Sequence, residues 1–331
     1  MDNFSPLDLL QRPRRNRKSP AIRYLTQETD LSAHNLVAPF FVIEGTGRCE
    51  PIDHLPLINR LSIDHLVREA EVLHASGIQA IALFPCINPS LKTKHGEHSY
   101  NPDNLVCRCI RKLKQELPSM AIIADVALDP YTNHGHDGIL DADGFVDNDQ
   151  TVAILQKQAL ALASSGCDIV APSDMMDGRI KAIRKTLDKY NLQNTSILAY
   201  SVKYASHFYA PFRNALQSSL TEGDKKTYQM NPANKREALR EALLDIEEGA
   251  DMLLVKPALP YLDIVDLLKR NTVLPIGAYH VSGEYAMVMA ADQKGYLKAS
   301  DIFFESLLSI RRAGASFIFT YAYKHILNVL N

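Results

Sequence analysis

A chain of 331 residues, 46% of them hydrophobic, holds enough apolar material for one large core or two ordinary ones. A formal charge of -2 gives no global attraction to nucleic acid or to an anionic membrane, and no run approaches the roughly 20 apolar residues of a membrane span. The cysteines Cys49, Cys86, Cys107, Cys109 and Cys167 are odd in number and lack a Cys-x-x-Cys pair; this argues against a disulfide framework and a structural zinc site, and for reduced thiols in a cytosolic protein.

Residues 1–33 differ in character from the rest of the chain. Arg12-Pro13-Arg14-Arg15-Asn16-Arg17-Lys18 is a dense basic run, flanked by Pro6 and Pro20, and reads as an extended arm outside the core. A solvated tail and an arm that clasps a neighbouring subunit both fit it. From residue 34 to residue 331 the pattern is regular. Short apolar runs of strand length stand at Leu36 to Val42, Ala80 to Pro85, Ala121 to Leu128 and Ile169 to Ser173, then at Ser196 to Val202, Met252 to Pro257, Pro275 to Val281 and Ser316 to Tyr321. Continuous apolarity, as opposed to alternation, suits parallel strands covered on both faces. Helical patterns lie between, as at Ser62 to Ser76, where Ser62 is placed to cap and Leu66, Val67, Ala70 and Leu73 make one stripe. Asn231-Pro232 likewise reads as a cap followed by proline opening a helix, with Ala238, Leu239, Ala242, Leu243 and Ile246 as its buried face.

Four joints share a form in which a helix ends, a glycine takes the left-handed position and a strand begins soon after: at Gly77, Gly166, Gly249 and Gly314. Strands alternating with helices in this way predict a closed α/β (β/α)₈ barrel, a TIM barrel with an N-terminal arm. An open doubly wound sheet would bring a glycine-rich phosphate turn after its first strand. The segment Ile43-Glu44-Gly45-Thr46-Gly47 lacks the third glycine.

Such barrels place their chemistry at the C-terminal strand ends. Those positions hold Phe84, Asp125, Ser173, Lys203, Lys256, Tyr279 with Ser282, and Tyr321. A single strand-end lysine commonly snorkels to water. Two on successive strands place two cations in one mouth, and burial plus repulsion then favours a neutral, nucleophilic amine able to trap a carbonyl.

Over nearly the whole chain, from Gln11, the sequence resembles the porphobilinogen synthase (delta-aminolevulinic acid dehydratase) family. The resemblance is carried by Ser201-Val202-Lys203-Tyr204-Ala205-Ser206, Tyr209-Ala210-Pro211-Phe212-Arg213, Tyr228-Gln229-Met230-Asn231-Pro232, Val255-Lys256-Pro257 and Gly277-Ala278-Tyr279-His280-Val281-Ser282-Gly283-Glu284-Tyr285. It implies a lyase that condenses two 5-aminolevulinate molecules to porphobilinogen in tetrapyrrole (heme) biosynthesis, assembled as a homo-octamer of arm-exchanging dimers. Lys256 matches the lysine that forms the Schiff base with the substrate whose carboxylate becomes the propionate arm, and Lys203 its partner lysine. Ser282 and Tyr321 match one pair of carboxylate holders, and Arg213 and Lys225 a cationic clamp on a lid that Gln229 helps to close. Some relatives carry arginine where Lys225 stands, so bidentate grip is in doubt here.

Zinc-using relatives have cysteines at the positions of Ala127, Asp129 and Asp137. One alanine and two carboxylates do not suit zinc, so the expectation is no catalytic zinc, with Asp129 and Asp137 supplying electrostatics, Asp125 managing protons, and His134 and His136 structural. Glu241 matches the anchor of an allosteric Mg²⁺ at the subunit interface in magnesium-responsive relatives; Asp245, four residues on, needs a positive neighbour if the two are not to repel. No organic cofactor is expected. The residues alone also fit a class I aldolase-type barrel, which normally uses a single lysine, or a non-catalytic scaffold barrel.

Overall fold

The structure, a computed structural model, describes residues 9–216, 218, 220, 221 and 223–330; Pro6 lies outside them. The chain divides between Asp30 and Leu31 into two units. The first is not extended as its prolines suggested. Pro13 opens a short 3-10 turn, Pro13–Arg17, and Pro20 opens α1 (Pro20–Leu25), where the Ser19 hydroxyl accepts from the Ile22 N–H at 3.3 Å. Proline at a first helical turn sacrifices no intrahelical bond, so it starts these turns and does not break them. Neither turn buries a residue.

In the second unit the strands in chain order are β1 (Leu36–Val42), β2 (Cys49–Pro51), β3 (Asn59–Leu61), β4 (Ala80–Pro85), β5 (Ala121–Val126), β6 (Ile139–Leu140), β7 (Val146–Asp147), β8 (Ile169–Pro172), β9 (Ser196–Lys203), β10 (Met252–Lys256), β11 (Ile276–His280) and β12 (Phe317–Thr320). β1, β4, β5, β8, β9, β10, β11 and β12 pair in that order, all parallel, and β12 returns to β1 through Leu36↔Ile318 and Val37↔Phe319. This is the closed (β/α)₈ barrel. Its strands match the eight apolar runs to within a residue or two. Ala127 and Leu128, expected in a strand, fall in the loop after β5. All seven residues of β1 are buried, as a strand covered on both faces requires.

The helices are α2 (Ile63–Ala75), α3 (Leu105–Glu116), α4 (Asn148–Ser164), α5 (Arg179–Lys189), α6 (Ala210–Leu216), α7 (Arg236–Glu248), α8 (Leu262–Asn271), α9 (Ser282–Gln293), α10 (Ala299–Arg312) and α11 (Tyr323–Leu330). Leu66, Val67, Ala70 and Leu73 of α2 are buried as predicted, each leucine contributing about 1.5–3 kcal/mol. The Ser62 hydroxyl does not cap this helix. It donates to Asp64 and to the Arg48 carbonyl instead, at 2.6 and 3.1 Å. Asn231-Pro232 does not open α7 either, because the Asn231 side chain accepts from the Ala233 N–H at 3.0 Å and closes a local turn, so the helix starts at Arg236. In α7 Ala238 and Ala242 are buried while Leu243 is exposed. Gly77, Gly166, Gly249 and Gly314 all have positive φ, between 92° and 118°, as the four joints required.

Two additions decorate the barrel mouth. β2 and β3 form an antiparallel ribbon, and β3 runs beside the end of β1 with Phe41↔Arg60 and Val42↔Leu61 in register. Between β5 and α4, β6 and β7 pair in a second small ribbon.

Candidate active site

β9 and β10 end on the same rung, with Lys203 and Lys256 as register partners. Upstream the register slips, so that Ala199 to Val202 of β9 faces Leu253 to Val255 of β10. That extra residue is a bulge. Lys256 is buried, and its Nζ lies 4.5 Å from the Tyr279 ring centroid, 5.0 Å from those of Tyr209 and Phe212, and 5.4 Å from that of Tyr200. Among the described residues it has no hydrogen-bond or ion-pair partner. Burial, reinforced by the Lys203 cation, pushes its amine down to about 7, against the pull of Asp125, Asp129 and Asp137. A large share of this amine is therefore neutral near pH 7, in an aromatic cage that also accommodates the cation.

Lys203 is equally buried but fully engaged. Its Nζ donates to Asp137 Oδ2 at 3.0 Å and to the Ser173 carbonyl at the end of β8. The other oxygen of Asp137 accepts from Lys225, whose Nζ also lies 3.5 Å from Asp129 Oδ2. Burial works to raise the Asp137 carboxyl, but the two ammonium groups hold it well below the usual carboxylate range. Burial lowers Lys225, yet Asp129 and Asp137 outweigh it and hold the amine above its ordinary value, with Arg213 opposing. Asp125, at the end of β5, is pushed up to about 7 by burial and by Asp129, against the two lysines and Ser173. Its Oδ1 is buried without a partner among the described residues. The mouth thus holds a neutral amine beside a carboxyl able to carry a proton at neutral pH, the pair that carbinolamine formation and dehydration need.

The remaining predicted residues surround these. Phe84, at the end of β4, packs edge-on against Phe212 at 5.2 Å and lies 6.4 Å from Tyr279. The Tyr279 and Tyr321 hydroxyls are 3.0 Å apart, and the Tyr321 ring stacks on Phe41. Ser282 Oγ accepts from the Phe212 N–H at 3.0 Å and donates to the Phe208 carbonyl at 3.3 Å. Gln229 is buried with Oε1 unpartnered among the described residues, and its N–H donates to the Lys225 carbonyl at 2.9 Å. The two histidines are tied locally, His134 to the Lys94 carbonyl and His136 to the Tyr228 hydroxyl, both at 3.2 Å.

Glu241 lies apart from these groups. It lines a polar cavity of about 380 Å³ with Glu237, Asp177, Asn231 and Gln229. Burial raises its carboxyl, and Asp245, Asp177 and Glu237 add to the rise while Arg179 opposes it. Arg179 is the positive neighbour that Asp245 requires: the buried guanidinium grips both oxygens of Asp245, at 2.6 and 3.0 Å.

Two features escaped the sequence. Alternation puts Tyr200 and Lys203, three residues apart, on opposite faces, and only the bulge turns both toward Lys256. Asp137 also looked like a stand-in for a metal ligand, whereas its oxygens are occupied by two lysines.

The chain's similarities agree with this site. The family profile for delta-aminolevulinic acid dehydratase matches residues 10–329. A delta-aminolevulinic acid dehydratase of Chlamydia pneumoniae is 52% identical over 99% of this chain and 98% of its own length. The chloroplastic enzyme of Physcomitrium patens is 55% identical over 96% of this chain and 74% of its own. The crystal structure of the Toxoplasma gondii enzyme in complex with the reaction product porphobilinogen superposes with a TM-score of 0.96, at 50% identity, covering 98% of this chain and 92% of that one.

Proposed function

The chain belongs to the delta-aminolevulinic acid dehydratase family, and from that premise we propose how its residues divide the work. The reaction is the condensation of two 5-aminolevulinate molecules to porphobilinogen with loss of two waters. Lys256, as the neutral amine, attacks the ketone of one substrate. Loss of water gives an imine whose protonated form is an electron sink and acidifies the neighbouring carbon. Lys203, on the adjacent strand, passes a proton to Asp125, leaves Asp137 and then captures the second ketone as the neutral amine. Carbon–carbon bond formation and attack of one substrate amine on the other ketone carbon then close the ring and release the lysines. Asp125 carries protons between these steps. Ser282 and Tyr321 hold one carboxylate, Arg213 and Lys225 the other, and Gln229 steadies the Lys225 segment. Lys225 must then exchange Asp137 and Asp129 for the substrate.

The observation that carries this reading is the ring-lined, depressed amine of Lys256 on the same rung as Lys203. Its test is borohydride reduction in the presence of 5-aminolevulinate, followed by peptide mapping, beside a colorimetric pyrrole assay. The label falls on Lys256 in active protein. Label that avoids Lys256 in active protein overturns the assignment, and a single-lysine aldolase would form no pyrrole.

Zinc does not fit the catalytic mouth. Ala127 offers no ligand, and both oxygens of Asp137 are taken by ammonium groups. Activity therefore survives a zinc-selective chelator; collapse that only zinc restores is the contrary result. No organic cofactor enters the proposal, since the imine supplies the electron sink. Mg²⁺ fits the cavity around Glu241, where it would keep several waters and bind through one or two carboxylates. Glu241 would anchor it, with Asp177 and Glu237 facing the same space. Bound there, it supplies charge that relieves the clustered carboxylates. Glu241→Ala loses Mg²⁺ stimulation and keeps basal turnover; unchanged stimulation removes the site.

Assembly as an octamer of dimers exchanging arms belongs to the same proposal. It is supported by a first unit that leaves Leu10, Tyr24 and Leu25 exposed among arginines. A cytoplasmic location is supported by Cys107, Cys109 and Cys167, packed as free thiols in the core. No helix of the described residues is long and apolar enough to cross a membrane.

A further inference from the structure

The segment from Ser206 to Leu216 brings the Phe212 ring centroid to 5.0 Å from the Lys256 amine and carries Arg213, whose charge is felt at Lys225. Its near end is seated on α9. The Phe212 N–H donates to Ser282 Oγ, and a Cβ on Gly283 would fall 2.5 Å from the Phe208 carbonyl, so backbone packs directly on backbone there. At its far end α6 is only seven residues long and leaves its last carbonyls without helical partners. The Arg213 carbonyl accepts from the Ser218 N–H at 3.2 Å. The next two are taken by a residue from a distant part of the chain: Arg60 Nε donates to the Ala215 carbonyl at 2.6 Å and Nη2 to the Asn214 carbonyl at 3.0 Å. The Cys86 thiol donates to the same Ala215 carbonyl at 3.3 Å.

Arg60 can do this because of the ribbon. β3 extends the barrel beside the end of β1, where Arg60 pairs in register with Phe41, and Phe41 packs 5.6 Å from Phe212. A planar fork with several fixed donors reaches two successive carbonyls, and its charge opposes the negative end of the helix. A lysine ammonium offers no such fork.

We propose that Arg60 is a positioning residue for the condensation, bolting the C-terminal end of α6 so that Phe212 closes the cage over Lys256 and Arg213 meets a substrate carboxylate. This deepens the reading above and rests on it. Removing the fork lets α6 shift, which weakens substrate grip and admits water to the Lys256 amine.

The experiment compares wild type with Arg60→Met and Arg60→Lys, measuring KM and kcat for 5-aminolevulinate and the pH dependence of kcat/KM, with thermal unfolding as the fold check. The expected result for Arg60→Met is a kcat/KM lowered about 10–100-fold, the cost of a misplacement on the order of 1 Å, with KM raised because Arg213 no longer meets the substrate carboxylate. Its acid limb moves to higher pH, because a wetter amine stays protonated longer. Arg60→Lys lies between. Wild-type KM and an unmoved limb in folded protein overturn the proposal. So does equal loss of activity at every pH and substrate concentration, which is what general destabilisation gives. Should Arg60→Met not fold, the same criteria apply to Arg60→Lys. A wild type that forms no pyrrole would instead sink the reading on which this rests.

Discussion

Lys256→Met turns over 5-aminolevulinate at least about 10⁴-fold more slowly than wild type, the scale set by removing a nucleophile from groups that act as a unit. The protein stays folded. Methionine has nearly the reach of lysine and meets four aromatic rings, favourable company for a thioether, so an apolar side chain replaces a costly buried amine. Loss of turnover with an unfolding midpoint at or above the wild-type value separates chemistry from folding. Wild-type protein adds a pH signature. The attacking amine must be neutral, and it is held at about 7 by burial and the neighbouring cation. Log kcat/KM therefore rises with pH up to about that value and falls above it as Asp125, pushed up to about 7, loses its proton. An acid limb centred near an ordinary lysine value would mean that the cage does not depress the amine.

Asp137→Ala is destabilised by about 3–5 kcal/mol, the cost of leaving buried charge without its partner. Its two oxygens serve Lys203 and Lys225, so the variant leaves two ammonium groups facing each other. The drop is read from urea midpoints at fixed protein concentration. The pH dependence has a definite sign. This carboxyl is held below its ordinary value of 3.8, so its contribution is fully present above that value and is lost as pH falls through the lower native one. Wild type and variant converge in acid. Turnover falls too, by about 10²–10³-fold, as expected for removal of a preorganised charge. Equal stability of the two proteins at pH 7 would show that the lysines shed protons or swing to water.

The barrel and the two lysines could be read from the chain because burial on both faces leaves continuous apolar runs. A strand that ends on lysine advertises where its mouth lies. What could not be read depended on the third dimension. Asp137 stands in a loop well beyond its strand, and its partnership with Lys203 exists only once β5 and β9 are brought around the same axis. Phe212 and Tyr209 reach Lys256 from a segment more than forty residues earlier. The start of α7 was misplaced because the Asn231 side chain bonds its own neighbourhood. Arg60 gave no signal, since an arginine in a three-residue strand looks like any solvated surface charge until α6 is packed across it.

The extra residue in β9 makes the enzyme's chemistry depend on a count. With the bulge in place, Lys203 reaches the rung of Lys256. Remove one residue there and the strand becomes a regular ladder with Tyr200 and Lys203 still on one face; add one between the bulge and Lys203, and the amine moves one rung on and turns to the helical layer outside. Both reactive side chains would still be written in the gene, correctly spelled, yet never share a room. Lineages carrying this fold should therefore tolerate replacement around the mouth more readily than any lengthening of that one strand.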